Sequence, residues 1–141
     1  MVFEYLDHKS DAYVHVSAGS LKGIFEDSAT AAFEIMLDTS SVKEAKAVEV
    51  EINADDLEQL LYMWVDRLLY IFDADSFAVR RAEIKSLKAI KGAFSLLAKL
   101  HGEEYDPASH DQRSGVKAMT YSLMRIFKEK GCWQAYFVLD I

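Results

Sequence analysis

Cys132-Trp133-Gln134-Ala135-Tyr136-Phe137-Val138-Leu139-Asp140-Ile141 decides how the rest of the sequence is read. Trp133, Ala135, Phe137, Leu139 and Ile141 alternate with Cys132, Gln134, Tyr136, Val138 and Asp140. That is the two-residue period of a strand, in residues that favour strands. Chain ends usually fray and are polar; this one is apolar and is expected to lie inside a sheet. Its single charged side chain, Asp140, is followed by the terminal carboxylate of Ile141. Two anionic groups set together on a packed strand either reach solvent at a sheet edge or share a cation. Carboxylate oxygens suit hard cations such as Ca²⁺, Mg²⁺ or Mn²⁺.

Upstream, each element carries its own period. Val2–Leu6 reads as a short strand, and the polar turn 7–11 separates it from a second. There Ala12, Val14, Val16 and Ala18 share one face, and Tyr13, His15 and Ser17 the other. Ser20 is a helix cap, and Leu21, Ile24, Phe25, Ser28, Ala29, Ala32, Phe33 and Met36 repeat at helical spacing. Val48, Val50 and Ile52 alternate with Glu49 and Glu51 in a third strand. The run 53–56 then caps a second helix, whose stripe is Leu57, Leu60, Leu61, Trp64, Val65, Leu68, Leu69 and Phe72. Its polar face carries Glu58 and Asp66 beside Arg67, which suits a core helix and not a basic membrane-surface one.

Phe77–Ile90 and Ala93–His101 read as a hairpin about Lys91-Gly92. Residues 102–115 form the longest polar, turn-rich stretch, and Val116–Phe127 leads through a turn at 128–131 into the last strand. Strands that follow one another through turns predict an α+β fold: a largely antiparallel sheet with two amphipathic helices on one side, in one domain spanning 1–141.

Composition narrows the function. The chain has 141 residues, half of them apolar, with a net charge of −7. Affinity for nucleic acid rests on Lys and Arg neutralising phosphates, so an acidic chain argues against strong direct binding of RNA or DNA. A basic or metal-bearing protein partner fits better. Cys132 is the only cysteine, which excludes an internal disulfide and a Cys-based zinc cluster. Beside Trp133 it reads as a buried small hydrophobe. The start has no basic n-region with an apolar run, and no run reaches membrane-spanning length, so a soluble cytoplasmic protein is the expectation. There is no Gly-rich phosphate loop, nucleophile elbow or His-Glu-x-x-His motif, and His8, His15, His101 and His110 fall on separate elements. The acids remain: Asp7 and Asp11 in the first polar turn, and Asp140. Asp11 meets the end of the chain if the flanking strands are neighbours; otherwise it is a turn residue bonding its own backbone. Lys117 reads as an edge lysine.

Taken together, the segments resemble the archease family over nearly the whole length. Glu4-Tyr5-Leu6-Asp7-His8-Lys9-Ser10-Asp11-Ala12 is similar to its "EYLDHTADV" segment, and Gly19-Ser20-Leu21-Lys22-Gly23-Ile24-Phe25 to its "GTLEEAF". Asp55-Asp56-Leu57-Glu58-Gln59-Leu60-Leu61 resembles "DDLExLL", and His101-Gly102-Glu103 contains its "GE". Val116-Lys117-Ala118-Met119-Thr120-Tyr121 resembles "VKAxTY", and Leu139-Asp140-Ile141 the family ending. The order and spacing of the six pieces carry the resemblance.

It implies an accessory protein, not an enzyme. Archeases promote guanylylation and repeated turnover of RtcB-type RNA ligases in tRNA splicing, so RNA is met only through the ligase. A divalent metal, calcium first, is implied at Asp11, Asp140 and a main-chain or terminal oxygen of Ile141. Lys117 matches a lysine needed for ligase activation. The alternatives are a general chaperone or adaptor, and a small metal-dependent phosphoesterase; a single ion on three oxygen groups lacks the general base or second metal that the last requires. Two departures stand out: Ser122 where many members have His, and Lys9-Ser10 in place of "TA" before Asp11.

Overall fold

The computed structural model describes residues 2–6 and 11–141. In chain order its elements are β1 (Val2–Leu6), β2 (Asp11–Ala18), α1 (Leu21–Met36), a 3-10 turn (Thr39–Ser41), β3 (Lys46–Ala54), α2 (Leu57–Asp75), β4 (Phe77–Ile90), β5 (Ala93–Glu104), β6 (Ala118–Glu129) and β7 (Cys132–Asp140). The strand pairs are all antiparallel. The α+β class is therefore as expected.

The strands nevertheless form two sheets, ordered β1-β2-β7-β6 and β3-β5-β4. Helix α1 packs against both β2 and β4, and α2 against both β3 and β6, so the helices bridge the sheets. Turn signals identify hairpins, but they do not say which hairpins share a sheet. Both long hairpins close on Lys-Gly turns with positive φ at each residue: 52° and 82° at Lys91-Gly92, 51° and 81° at Lys130-Gly131. This twist matches that of the flanking strands.

The core joins the two helix stripes to the inner faces of both sheets. Trp64, Leu60, Leu61, Val65 and Leu68 are fully buried, as are Phe25, Phe33 and Ile24 of α1. Trp64 Nε1–H donates to the carbonyl oxygen of Phe25 at 2.8 Å, which fixes one helix against the other and satisfies the indole donor. Val14, Val16, Ala135, Phe137 and Leu139 are buried on the faces that alternation assigned to them. Cys132 departs from expectation: it is exposed. It opens β7 directly after the Lys130-Gly131 turn, opposite Glu129, and the inner face belongs to its neighbour Trp133.

The polar stretch after β5 has a structural task. Four carbonyls at a helix end lack intrahelical partners. At the end of α1 the amide of Arg113 donates to Met36 O (2.7 Å) and that of Ser114 to Ile35 O (3.0 Å). The Arg113 guanidinium donates to Glu34 O (2.9 Å) and to its carboxylate (2.8 Å). This clasp leads the chain from β5 to the edge of the other sheet, where Val116 turns inward and β6 begins. No helix among the described residues is long and apolar enough to cross a membrane.

Candidate metal centre

Antiparallel register builds the site. β7 lies between β2 and β6, and the pairing His15↔Tyr136, Tyr13↔Val138 ends at Asp11↔Asp140. Side chains directly opposite each other in such a pair stand about 4.5–5.5 Å apart at Cβ. On the other flank of β7, Ala118 pairs with Asp140, and the Lys117 amide donates to Asp140 O at 2.7 Å. Asp11 and Asp140, on the adjacent strands β2 and β7, and Lys117, the residue before β6, thus meet at one end of the four-stranded sheet. The first and last segments of the sequence are brought together by β2–β7 pairing.

Both acids lie on the face opposite the core. Asp11 has the parity of Tyr13 and His15; Asp140 has that of Tyr136, and is exposed. Ile141 follows directly and packs against the core cluster. Its main-chain oxygens are therefore held beside Asp140 by an anchored side chain. Like charges directly opposite in a ladder repel. A hard cation between them turns that repulsion into attraction, and carboxylates with main-chain oxygens are its preferred donors. The donor set fits a divalent ion. Calcium takes 6–8 oxygens, so two carboxylates and Ile141 leave positions for water or for groups of another molecule. Among the described residues no three His, Cys, Asp or Glu side chains converge as a cage. Asp7 and His8 lie outside the described residues.

Among the described residues, the histidines are engaged elsewhere. His15 stacks on Tyr136 (4.3 Å between centroids, 3° between planes), with Nδ1 at 2.8 Å from Glu4 and Nε2 at 2.7 Å from Gln134. His101 meets Glu83 at 3.0 Å. His110 is buried: its Nδ1 accepts from the Asp106 amide at 2.9 Å, and Nε2 lies 2.9 Å from Glu103.

Beyond Thr120, β6 breaks register. It advances from Thr120 to Arg125 while its partner moves only from Val138 to Tyr136. The excess forms a bulge in which Leu123 takes φ 57°, a costly conformation for a residue with a branched side chain. Tyr121 stacks on Tyr62 of α2 at 4.1 Å, and Ser122 is exposed, its amide bonded to Thr120 Oγ1 at 3.0 Å. No glycine marks this bulge in the sequence, so periodicity reads straight through it. Past the bulge, Arg125 lies over the Tyr136 ring at 4.6 Å and the Phe127 ring at 5.1 Å, continuing the aromatic row outside the sheet.

With this arrangement in place, comparison with known proteins is decisive. The model of the Archease protein family matches residues 3–141. The chain belongs to the archease family. A curated archease from Methanosarcina acetivorans is 34% identical over 139 residues, covering 99% of this chain and 95% of its own length. The solution structure of Methanobacterium thermoautotrophicum protein 1598 superposes with a TM-score of 0.84 at 35% identity, covering 99% of this chain and 98% of that one. A crystal structure of an archease from Thermotoga maritima, described as a possible chaperone, shares the fold at a TM-score of 0.62 and 13% identity, covering 98% of this chain and 96% of its own.

Proposed function

We propose that this archease activates an RtcB-type RNA ligase in tRNA splicing, promoting ligase guanylylation and repeated turnover. A divalent cation, calcium before magnesium or manganese, is held by Asp11, Asp140 and a main-chain oxygen of Ile141. Lys117 acts beside it on the ligase. The observation that carries the reading is the Asp11↔Asp140 pairing at the end of the central strand of a sheet. Two family-matched acids, remote in sequence, stand opposite each other with their shared face outward.

The chain's chemistry suits an activator. Its net charge of −7 opposes direct binding of RNA, so RNA is met through the ligase. An ion with unfilled positions can bridge to ligase groups or orient the archease against the ligase active site. The test is formation of ligase–GMP from GTP and Mn²⁺ with and without this protein. Stimulation that disappears in Asp11→Ala and Asp140→Ala supports the proposal. Unchanged ligase–GMP formation with the intact protein overturns it. A general chaperone, in contrast, would protect unrelated aggregating proteins and be indifferent to loss of either acid.

A further inference from the structure

We infer that the outer edge of β3, together with the flank of α2, is a docking site for an extended, basic segment of a partner protein. The site uses none of the residues assigned to the cation, and its test uses no ligase, so each reading fails or stands separately.

In the order β3-β5-β4, strand β3 pairs with β5 along its whole length, from Lys46↔Gly102 to Ala54↔Phe94, and among the described residues has no strand on its other side. An edge strand presents a row of backbone donors and acceptors. Two cavities lie along this one. The first, of about 300 Å³, is lined by Ile52, Met63, Asp66, Arg67 and Tyr70. The second, of about 380 Å³, is lined by Val48, Val50, Arg67, Tyr70 and Asp75 among others. Both share Arg67 and Tyr70, so they form one groove between β3 and α2. Met63, Arg67 and Tyr70 follow one another at helical spacing along one side of α2. Tyr70 is 63% exposed and Val48 38%, which is apolar surface left in water at the groove. A strand added beside β3 would set alternate side chains onto this flank of α2, the geometry by which sheet edges recognise extended peptides.

Charge selects the occupant. Glu49 and Glu51 are exposed on the strand, and Asp66 and Asp75 border the cavities, against the single Arg67 there. Lys or Arg at alternate positions of an added strand would face Glu49 and Glu51, with apolar residues between them turned into the groove. A second copy of the chain is disfavoured: antiparallel pairing of two β3 strands centred on Val50 sets Glu49 opposite Glu51, and like charges so placed repel.

The test is a ¹⁵N-amide NMR titration with a capped nine-residue peptide of alternating Lys and Val. The Lys/Val peptide should shift the amides of Lys46–Ala54 with those of Met63, Arg67 and Tyr70, and slow hydrogen exchange along β3. A Glu/Val peptide should not bind, and N-methylation along one edge of the Lys/Val peptide should abolish binding. E49K/E51K, both at exposed positions, should keep a dispersed native spectrum and weaken binding at least tenfold. Shifts scattered over the acidic surface without β3, equal binding of the N-methylated peptide, or undiminished binding to E49K/E51K would each overturn the inference. So would β3 shifts that depend on protein concentration alone, since these would assign the edge to a second copy.

Discussion

Asp11 lies directly opposite Asp140 across the β2–β7 ladder. This relationship makes the acids a testable pair. Without a divalent ion, neutralising Asp140 relieves a like-charge contact, so Asp140→Asn should not lower stability; Asp11→Asn is measured beside it. With calcium present the order should invert. A ligand that binds only the native state stabilises it by about 2.7 kcal/mol at a hundredfold excess over Kd. The parent protein should therefore melt higher in calcium, and each variant should lose most of that increment. Thermal denaturation with and without CaCl₂ reads this directly. A full calcium increment in either variant would remove its carboxylate from the site.

Gly102 answers to a different constraint. A Cβ at this position would stand 1.9 Å from Ala78 O, at the place where β4 slips register between Val79 and Arg81. Gly102→Ala must push the two strands apart, and overpacking of this kind typically costs about 1–3 kcal/mol. Urea denaturation measures it, with Gly92→Ala as a poor comparator because φ there is positive. Gly19→Ala serves instead, since nothing lies within 4 Å of its added carbon. Equal stability of the Gly102 and Gly19 variants would refute the close approach.

These cases mark how far the sequence could be read. The stripe through Trp64 and the alternation of β2 and β7 were legible because burial on one face leaves a period in the residue types. The approach of Asp11 to Asp140 was not, because strand neighbours 129 positions apart leave no local trace; the residues left it as one of two readings, and the family resemblance favoured it. The division into two sheets was hidden for the same reason. Leu123 shows the converse failure: its left-handed backbone in the β6 bulge is held by surroundings that periodicity does not see. The exposure of Cys132 was missed because a turn shifts one residue to the rim of a strand whose remainder is packed. The 102–115 stretch reads as loop, yet Arg113 and Ser114 close the end of α1.

Tyr5 sets a limit at alkaline pH. Its hydroxyl donates to Ala31 O of α1 at 3.0 Å, tying the edge strand β1 to the helix. The residue is 48% exposed overall, but partial burial first, and then the negative charge of Glu34, push its phenol from 10.0 up to about 12, with Arg113 opposing. The folded pKa is raised above the unfolded one. The stabilisation is therefore complete below pH 10 and is lost as pH rises from about 10 through about 12. Tyr5→Phe should be less stable than the parent at pH 8, and the gap should narrow above pH 10. Paired denaturant melts across that range decide it; a gap that stays constant to pH 12 would show that the hydroxyl does not titrate as the fold requires.

Lys117 offers a way to separate holding the proposed ion from using it. Its amide donates to Asp140 O at 2.7 Å, while its side chain is exposed. Lys117→Ala keeps the amide, so the backbone of the site stays in place and only the ammonium is lost. An ammonium has three donors and no acceptor, and it cannot ligate a cation. Calcium binding by titration calorimetry should therefore be retained in Lys117→Ala, while stimulated ligase–GMP formation falls. The acids should behave in the opposite manner. If each contributes oxygens to the same ion, as proposed, the double variant Asp11→Ala/Asp140→Ala should lose little more than either single one, the non-additivity of groups that share one partner. Loss of calcium binding in Lys117→Ala would mean that the ammonium organises the site instead of addressing the ligase. Simple addition of two modest losses in the double variant would mean that Asp11 and Asp140 face each other without sharing an ion.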